Sequence, residues 1–117
     1  MLESKIYNFN DDRGQLSVVN EPPFEVKRFY WIKGKQKMSR GFHSHKTTRQ
    51  VIYHIHGVIS YFSKAKDQPA VEKALGEQNH QCVYVPPLEY HWLEFHTDGV
   101  LLVIADKIYE RDDYIFD

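Results

Sequence analysis

Short runs of alternating apolar and polar residues, broken by turn-forming residues, extend along most of the chain. "QLSVV" (15–19) follows the turn cluster "DDRG", and "FEVKRFYWI" (24–32) follows Pro22 and Pro23. "QVIYHIH" (50–56) meets Gly57, and "VISYF" (58–62) comes next, which predicts a hairpin turning near Gly57. "QCVYV" (81–85) ends at Pro86-Pro87, and "HWLEF" (91–95) and "VLLVIA" (100–105) are separated by "HTDG". About seven short strands at this spacing predict an all-β sandwich or barrel. The stretch "QPAVEKALGEQNH" breaks the pattern: it opens with Pro and good helix formers, so it fits a short helix and a strand equally. The tail "YERDDYIFD" is acidic and aromatic, which predicts packed tyrosines and acids facing water.

Composition narrows the class. The 117 residues carry no internal repeat, low-complexity segment or linker, so 1–117 reads as one domain. Aromatics make up 15%, a load suited to pleated surfaces. A formal net charge of −1 supplies no field for nucleic acid, though a local basic cluster could still hold a small anion. Cys82 is the only cysteine, which excludes an internal disulfide framework and fits a reducing compartment. No apolar run approaches the ~20 residues of a membrane span, and "MLESKIYNFNDDRG" has early acids and no apolar core, unlike a signal peptide. These features predict neither nucleic-acid nor membrane partners.

The candidate chemistry sits in "RGFHSHK" (40–46). In an extended strand residues i and i+2 share a face, so His43 and His45 project together while Phe42 and Ser44 point the other way. If that face lines a small barrel, both imidazoles enter one cavity with Arg40 and Gly41 at its mouth. A metal site, a proton-transfer site and a pair of surface histidines all remain open on this motif alone. "PPLEYH" adds a second element, with Pro86 and His91 five apart. Together the two elements resemble the halves of a cupin, G…H-x-H-x₃₋₄-E-x₆-G and P-x-G-x-x-H. Gln50 stands where the first has Glu, Gly57 follows at the expected distance, and Leu88 stands where the second has Gly. That resemblance implies a double-stranded β-helix, a jelly-roll barrel. Gln50 removes the carboxylate of a three-His-one-acid metal site, although His43, His45 and His91 alone can hold zinc. His54 and His56 share the face opposite Val51, Tyr53 and Ile55 and read as structural or exterior, and His80 and His96 as surface residues.

"DDRGQL", "PFEVKRFYWIKG", "RGFHSHK", "QVIYHIHG" and "VLLVIADKIYERDDYIFD" resemble the WxcM-like sugar 3,4-ketoisomerases over nearly the whole chain, from about Asp11. The resemblance implies a cupin fold and a homodimer with exchanged N-terminal strands. It implies no metal or other cofactor, and a dTDP-linked keto-deoxysugar as substrate. It further implies His43 as the general base taking the sugar C3 proton, His45 as a proton carrier, and Tyr30 near the sugar. Arg13 and Arg40 match arginines that the family places near the nucleotide phosphates; beside them Gln50 is a candidate to hydrogen-bond the sugar or orient a histidine, and His91 to finish the pocket wall. Imidazole suits this work, since its unperturbed pKa of about 6.5 leaves a base at neutral pH. Arginine forks suit phosphate oxygens. The chain departs from the family in "PPLEYHW", where Tyr90 replaces a Trp before His91, and in a loop between Ile32 and Arg40 about one residue short. Two alternatives stand beside this reading: a metal-dependent cupin enzyme using His43, His45 and His91, and a sugar-nucleotide-binding cupin without turnover.

Overall fold

A computed structural model describes residues 5–76 and 79–116. Its strands are β1 (Tyr7–Asp11), β2 (Gly14–Val18), β3 (Arg28–Gly34), β4 (Ser39–His45), β5 (Gln50–His56) and β6 (Ile59–Ser63). They continue with β7 (Val71–Leu75), β8 (Cys82–Val85), β9 (His91–Phe95), β10 (Gly99–Ala105) and β11 (Tyr114–Ile115), the last preceded by a 3₁₀ turn at Arg111–Asp113. Two antiparallel sheets, ordered β3-β10-β5-β8 and β11-β4-β9-β6-β7, face each other, and β1 and β2 form a separate hairpin. The chain changes sheet at nearly every connection after β3. Only β6 and β7 are consecutive partners among the strands of the two large sheets. This is the winding of a double-stranded β-helix, as the sequence led us to expect.

That winding corrects the hairpin expected around Gly57. β5 pairs with β10 and β8, whereas β6 pairs with β9 and β7, so Gly57 carries the chain from one sheet to the other. Its φ of +96° and the approach of Asp98 O and Gly99 Cα, 2.5 and 2.7 Å from where a Cβ would sit, explain why glycine occupies the corner. The stretch that fitted helix and strand equally forms β7 at 71–75, an edge strand laddered to β6; Glu77 and Gln78 lie outside the described residues. The 24–32 strand begins only at Arg28. Phe24 and Val26 instead pack over the outer face of β5 against Val51 and Tyr53.

The inner faces divide along the barrel axis. At one end Ile52, Ile59, Tyr61, Leu75, Val83, Val85, Leu93, Phe95, Leu101 and Val103 form the apolar core, with Tyr30 and Ile32 packed against it. Inward residues beyond the core are polar: Gln50 and His91 on β5 and β9, which also supply core residues, and His43 and His45 on β4, which supplies none. Period-two alternation therefore delivers a dry core and a polar pocket from neighbouring strands.

Candidate functional site

The site is built on the junction of β4 and β9. His43 lies opposite His91 in register, and β11 brings Tyr114 opposite His45 on the other edge of β4. A bulge at Gly41–Phe42 precedes the histidines, with φ +109° at Gly41 and +59° at Phe42. The bulge turns Phe42 outward onto Trp92, with centroids 5.5 Å apart and planes 11° apart, and His43 inward. His43 and His45 thus share a face, with ring centroids 5.0 Å apart.

His43 and His91 line a cavity of about 590 Å³, and His45 does not. Gln50, Tyr30, Leu93 and Val103 line its interior, and Tyr109 and Tyr114 form one wall. Arg28, Lys33 and Arg40 place three cationic groups around it. Gln50 Nε2 donates to Tyr30 Oη at 2.9 Å. Of the residues expected from sequence, His43, Tyr30, Arg40, Gln50 and His91 come together here. His45 stands one layer behind, in ring contact with His43. Arg13 is not brought to this cavity. It sits at the β1–β2 turn with its side chain 91% exposed, paired to Asp11 at 2.6 Å.

Each imidazole has one nitrogen anchored. His91 Nδ1 lies 2.9 Å from the Glu89 carbonyl oxygen, His45 Nδ1 lies 3.2 Å from Asp113 Oδ2, and His43 bonds the Gly41 backbone. One nitrogen from each ring falls within 4.8 Å of one from both others. Burial and neighbouring His91 push the His43 imidazole down to about 4. Burial pushes His91 to about 4 as well, against the opposing bond to Glu89. His45 is also lowered, by burial and then by His43, with Asp113 opposing. Burial holds the Tyr30 phenol above its usual value. At neutral pH the site presents neutral imidazoles and a protonated phenol, a set able to accept, hold and return protons.

The acids of the tail were expected to face water. Asp113 does not: its side chain accepts from Thr47, Thr48 and His45. Burial alone would raise its pKa, but these hydrogen bonds outweigh it and keep the carboxylate ionised. Asp113, Arg28 and Tyr114 are site residues that sequence reasoning missed. Arg28 carried no signal beyond its place two residues before Tyr30 on the same strand face. His54, His56, His80 and His96 lie away from the cavity as expected, with His54 Nε2 bonded to the Gly57 carbonyl oxygen at 2.6 Å.

Comparison with known proteins agrees with the architecture. The profile of the family described as WxcM-like, C-terminal (FdtA) matches residues 3–117. A TDP-4-oxo-6-deoxy-alpha-D-glucose-3,4-oxoisomerase from Aneurinibacillus thermoaerophilus is 32% identical over 97% of this chain and 86% of its own. The crystal structure of QdtA, a sugar 3,4-ketoisomerase from Thermoanaerobacterium thermosaccharolyticum in complex with TDP, is 30% identical. It superposes with a TM-score of 0.85 over 97% of this chain and 85% of QdtA. A histidine-to-asparagine variant of QdtA, in complex with TDP-4-keto-6-deoxyglucose, gives the same TM-score of 0.85 at 29% identity, with coverage of 97% and 85%.

Proposed function

The chain belongs to the WxcM-like, C-terminal (FdtA) family, and from that membership we propose that it is a 3,4-ketoisomerase of a nucleotide-linked 4-keto-6-deoxyhexose. It converts dTDP-4-keto-6-deoxyglucose to the 3-keto isomer. The observation that carries this reading is the placement of His43 in a cavity that also holds Tyr30 and His91 and is rimmed by cations.

The chemistry needs no external oxidant or reductant, because the electrons stay in the sugar. The C3 hydrogen is acidic beside the C4 ketone. The free lone pair of His43 removes it, the C3–H electrons form a C3–C4 double bond, and O4 takes a proton, giving an enediol. Loss of the O3 proton then re-forms a carbonyl at C3 as C4 is protonated. General-base help of this kind is worth about 10²–10⁴-fold. Tyr30 accepts from Gln50 and keeps its own proton, so it can donate to developing negative charge on O4. A low pKa makes protonated His43 a strong acid, suited to handing its proton back to carbon. His45 takes part through His43, and His91 closes the pocket beside it. Arg40 and Lys33 face the diphosphate at the rim, and Arg28, seated over the Tyr30 and Tyr109 rings, adds positive potential inside.

A homodimer with exchanged N-terminal strands belongs to the same reading. The β1–β2 hairpin joins neither large sheet, and a second concavity of about 630 Å³ separates it from the outer face of β5 and β10. Arg13, at the hairpin tip, would then serve a partner subunit's phosphate site. No helix among the described residues is long and apolar enough to cross a membrane; a cytoplasmic location follows from the nucleotide-sugar substrate.

The test is incubation with dTDP-4-keto-6-deoxyglucose in D₂O, following the sugar protons by NMR. Deuterium should enter at C3 or C4, and His43→Asn should abolish that exchange while leaving the fold intact. Unchanged turnover in the variant would remove His43 from the mechanism, and binding of the sugar nucleotide without exchange would favour a non-catalytic cupin. One observation favours a metal-dependent enzyme instead, namely the convergence of His43, His45 and His91 nitrogens within 4.8 Å. Stoichiometric zinc, iron or manganese in untagged protein, lost with His91→Ala, would establish it.

A further inference from the structure

We infer that Asp113 is a positioning residue for this isomerase: its carboxylate holds His45 with the proton on Nδ1 and the lone pair on Nε2, turned toward the other two imidazoles. The inference rests on the ketoisomerase reading for its catalytic consequence, and on hydrogen-bond geometry alone for the tautomer.

The donors and acceptors leave one assignment. Asp113 Oδ1 accepts from the Thr47 backbone N–H and from Thr47 Oγ1, each at 2.9 Å. Oδ2 accepts from Thr48 Oγ1 at 2.5 Å and faces His45 Nδ1 at 3.2 Å. An ionised carboxylate only accepts, so Nδ1 must carry the hydrogen. The two ring nitrogens point away from each other, so Nε2 faces away from Asp113, and it is buried without a hydrogen-bond partner. The rings around it are His43 at 5.0 Å, His91 at 6.0 Å and Tyr114 at 4.5 Å between centroids. Arg28 on β3 also acts on His45, and it disfavours an imidazolium there. Asp113 is the acid that faces His45 among the described residues.

The main chain keeps that acid in place. Asp113 closes the 3₁₀ turn, its carbonyl accepts from Lys46 N at 2.8 Å, and the next residue enters the β11–β4 ladder opposite His45. His45 is 1% exposed and outside the cavity, so substrate does not set its orientation. With the tautomer fixed, His45 Nε2 is ready to accept a proton relayed from His43 and to give it back.

Asp113→Asn tests this sharply. The Thr47 backbone N–H can only donate, so it retains the amide oxygen at the Oδ1 position and sends the NH₂ toward His45. Nδ1 must then accept, and the ring proton moves to Nε2, closing the relay. We expect kcat to fall by about 10²–10⁴-fold with KM unchanged, as when a histidine is locked in its wrong tautomer. In ¹⁵N spectra of the free protein the His45 signals should change from the Nδ1–H to the Nε2–H pattern. Thr48→Val removes one bond to the same oxygen yet leaves the tautomer, and should keep kcat within about threefold. Wild-type kcat in Asp113→Asn, or a loss of rate with the His45 tautomer unchanged, would overturn the inference. So would an equal loss in Thr48→Val. The spectra need no substrate. If wild-type protein leaves the sugar unexchanged, the ketoisomerase reading falls while the tautomer measurement still decides whether Asp113 governs His45.

Discussion

His43 and His91 stand opposite each other across the β4–β9 ladder, with ring centroids 4.9 Å apart and planes inclined by 76°. Burial dominates both and pushes each imidazole down to about 4. In the unfolded chain they titrate near 6.5. Between those values the unfolded state binds more protons than the fold does, so stability is full above about pH 6.5 and declines as the pH falls toward 4. His45, lowered in the same direction, adds to the slope. Denaturant midpoints measured from pH 8 to 4 should show this decline, and His91→Asn should flatten it. The acid limb of kcat/KM should fall near 4 rather than 6.5. A midpoint independent of pH across that window would contradict the assignment.

Tyr30 offers a second measurement. Its hydroxyl accepts from Gln50 and its proton is kept by burial. Tyr30→Phe removes the donor for O4 and leaves the buried Gln50 amide without this partner. The expected result is a fall in kcat of about 10²–10³-fold, with a stability loss of about 1–2 kcal/mol. Turnover in D₂O and a urea melt separate the two effects. Unchanged kcat with lowered stability would make Tyr30 structural.

Leu88 stands where the cupin motif has glycine, and it adopts φ +70° with 68% of its surface exposed. A side chain in this region costs about 1–2 kcal/mol, and an exposed leucine recovers little of it by packing. Its N–H donates to the His45 carbonyl oxygen at 2.7 Å, so the turn is held against β4. Leu88→Gly keeps that bond and removes the strain, against a loss of unfolded-state restriction worth about 0.5–1 kcal/mol. We expect a net gain of about 0.5–1 kcal/mol and a higher Tm by calorimetry. A lower Tm would show that the entropy cost of glycine in the unfolded chain exceeds the strain relieved.

The strands with clear alternation were legible in the sequence, and so was the shared face of His43 and His45, because period two is a backbone property. The pairing around Gly57 was not. A glycine between two apolar runs looks the same whether the chain turns back in one sheet or crosses to the other. Val71–Leu75 was ambiguous because an exposed edge strand keeps only Leu75 buried and so leaves no stripe. Asp113 was hidden among the acids of "ERDD". Its role depends on Thr47, Thr48 and His45, roughly 65 residues away in sequence, and local charge patterning carries no trace of them.

Phe9 and Leu16 are direct cross-strand partners in the β1–β2 hairpin, yet they are 60% and 63% exposed. Two large apolar side chains side by side on an otherwise unpaired hairpin stabilise it little within one subunit. Covered by a second copy they would each contribute about 1–2 kcal/mol, and a chain of this length gains much from such burial. Phe9→Ser together with Leu16→Ser should therefore convert a dimer into a 13.9 kDa monomer in sedimentation equilibrium. If Arg13 serves the partner's phosphate site, the same variant should also raise KM for the sugar nucleotide, while Arg13→Ala should raise KM with the dimer intact. A wild-type monomer, or a dimer indifferent to both serines, would remove the exchanged hairpin and return Arg13 to its surface pair with Asp11.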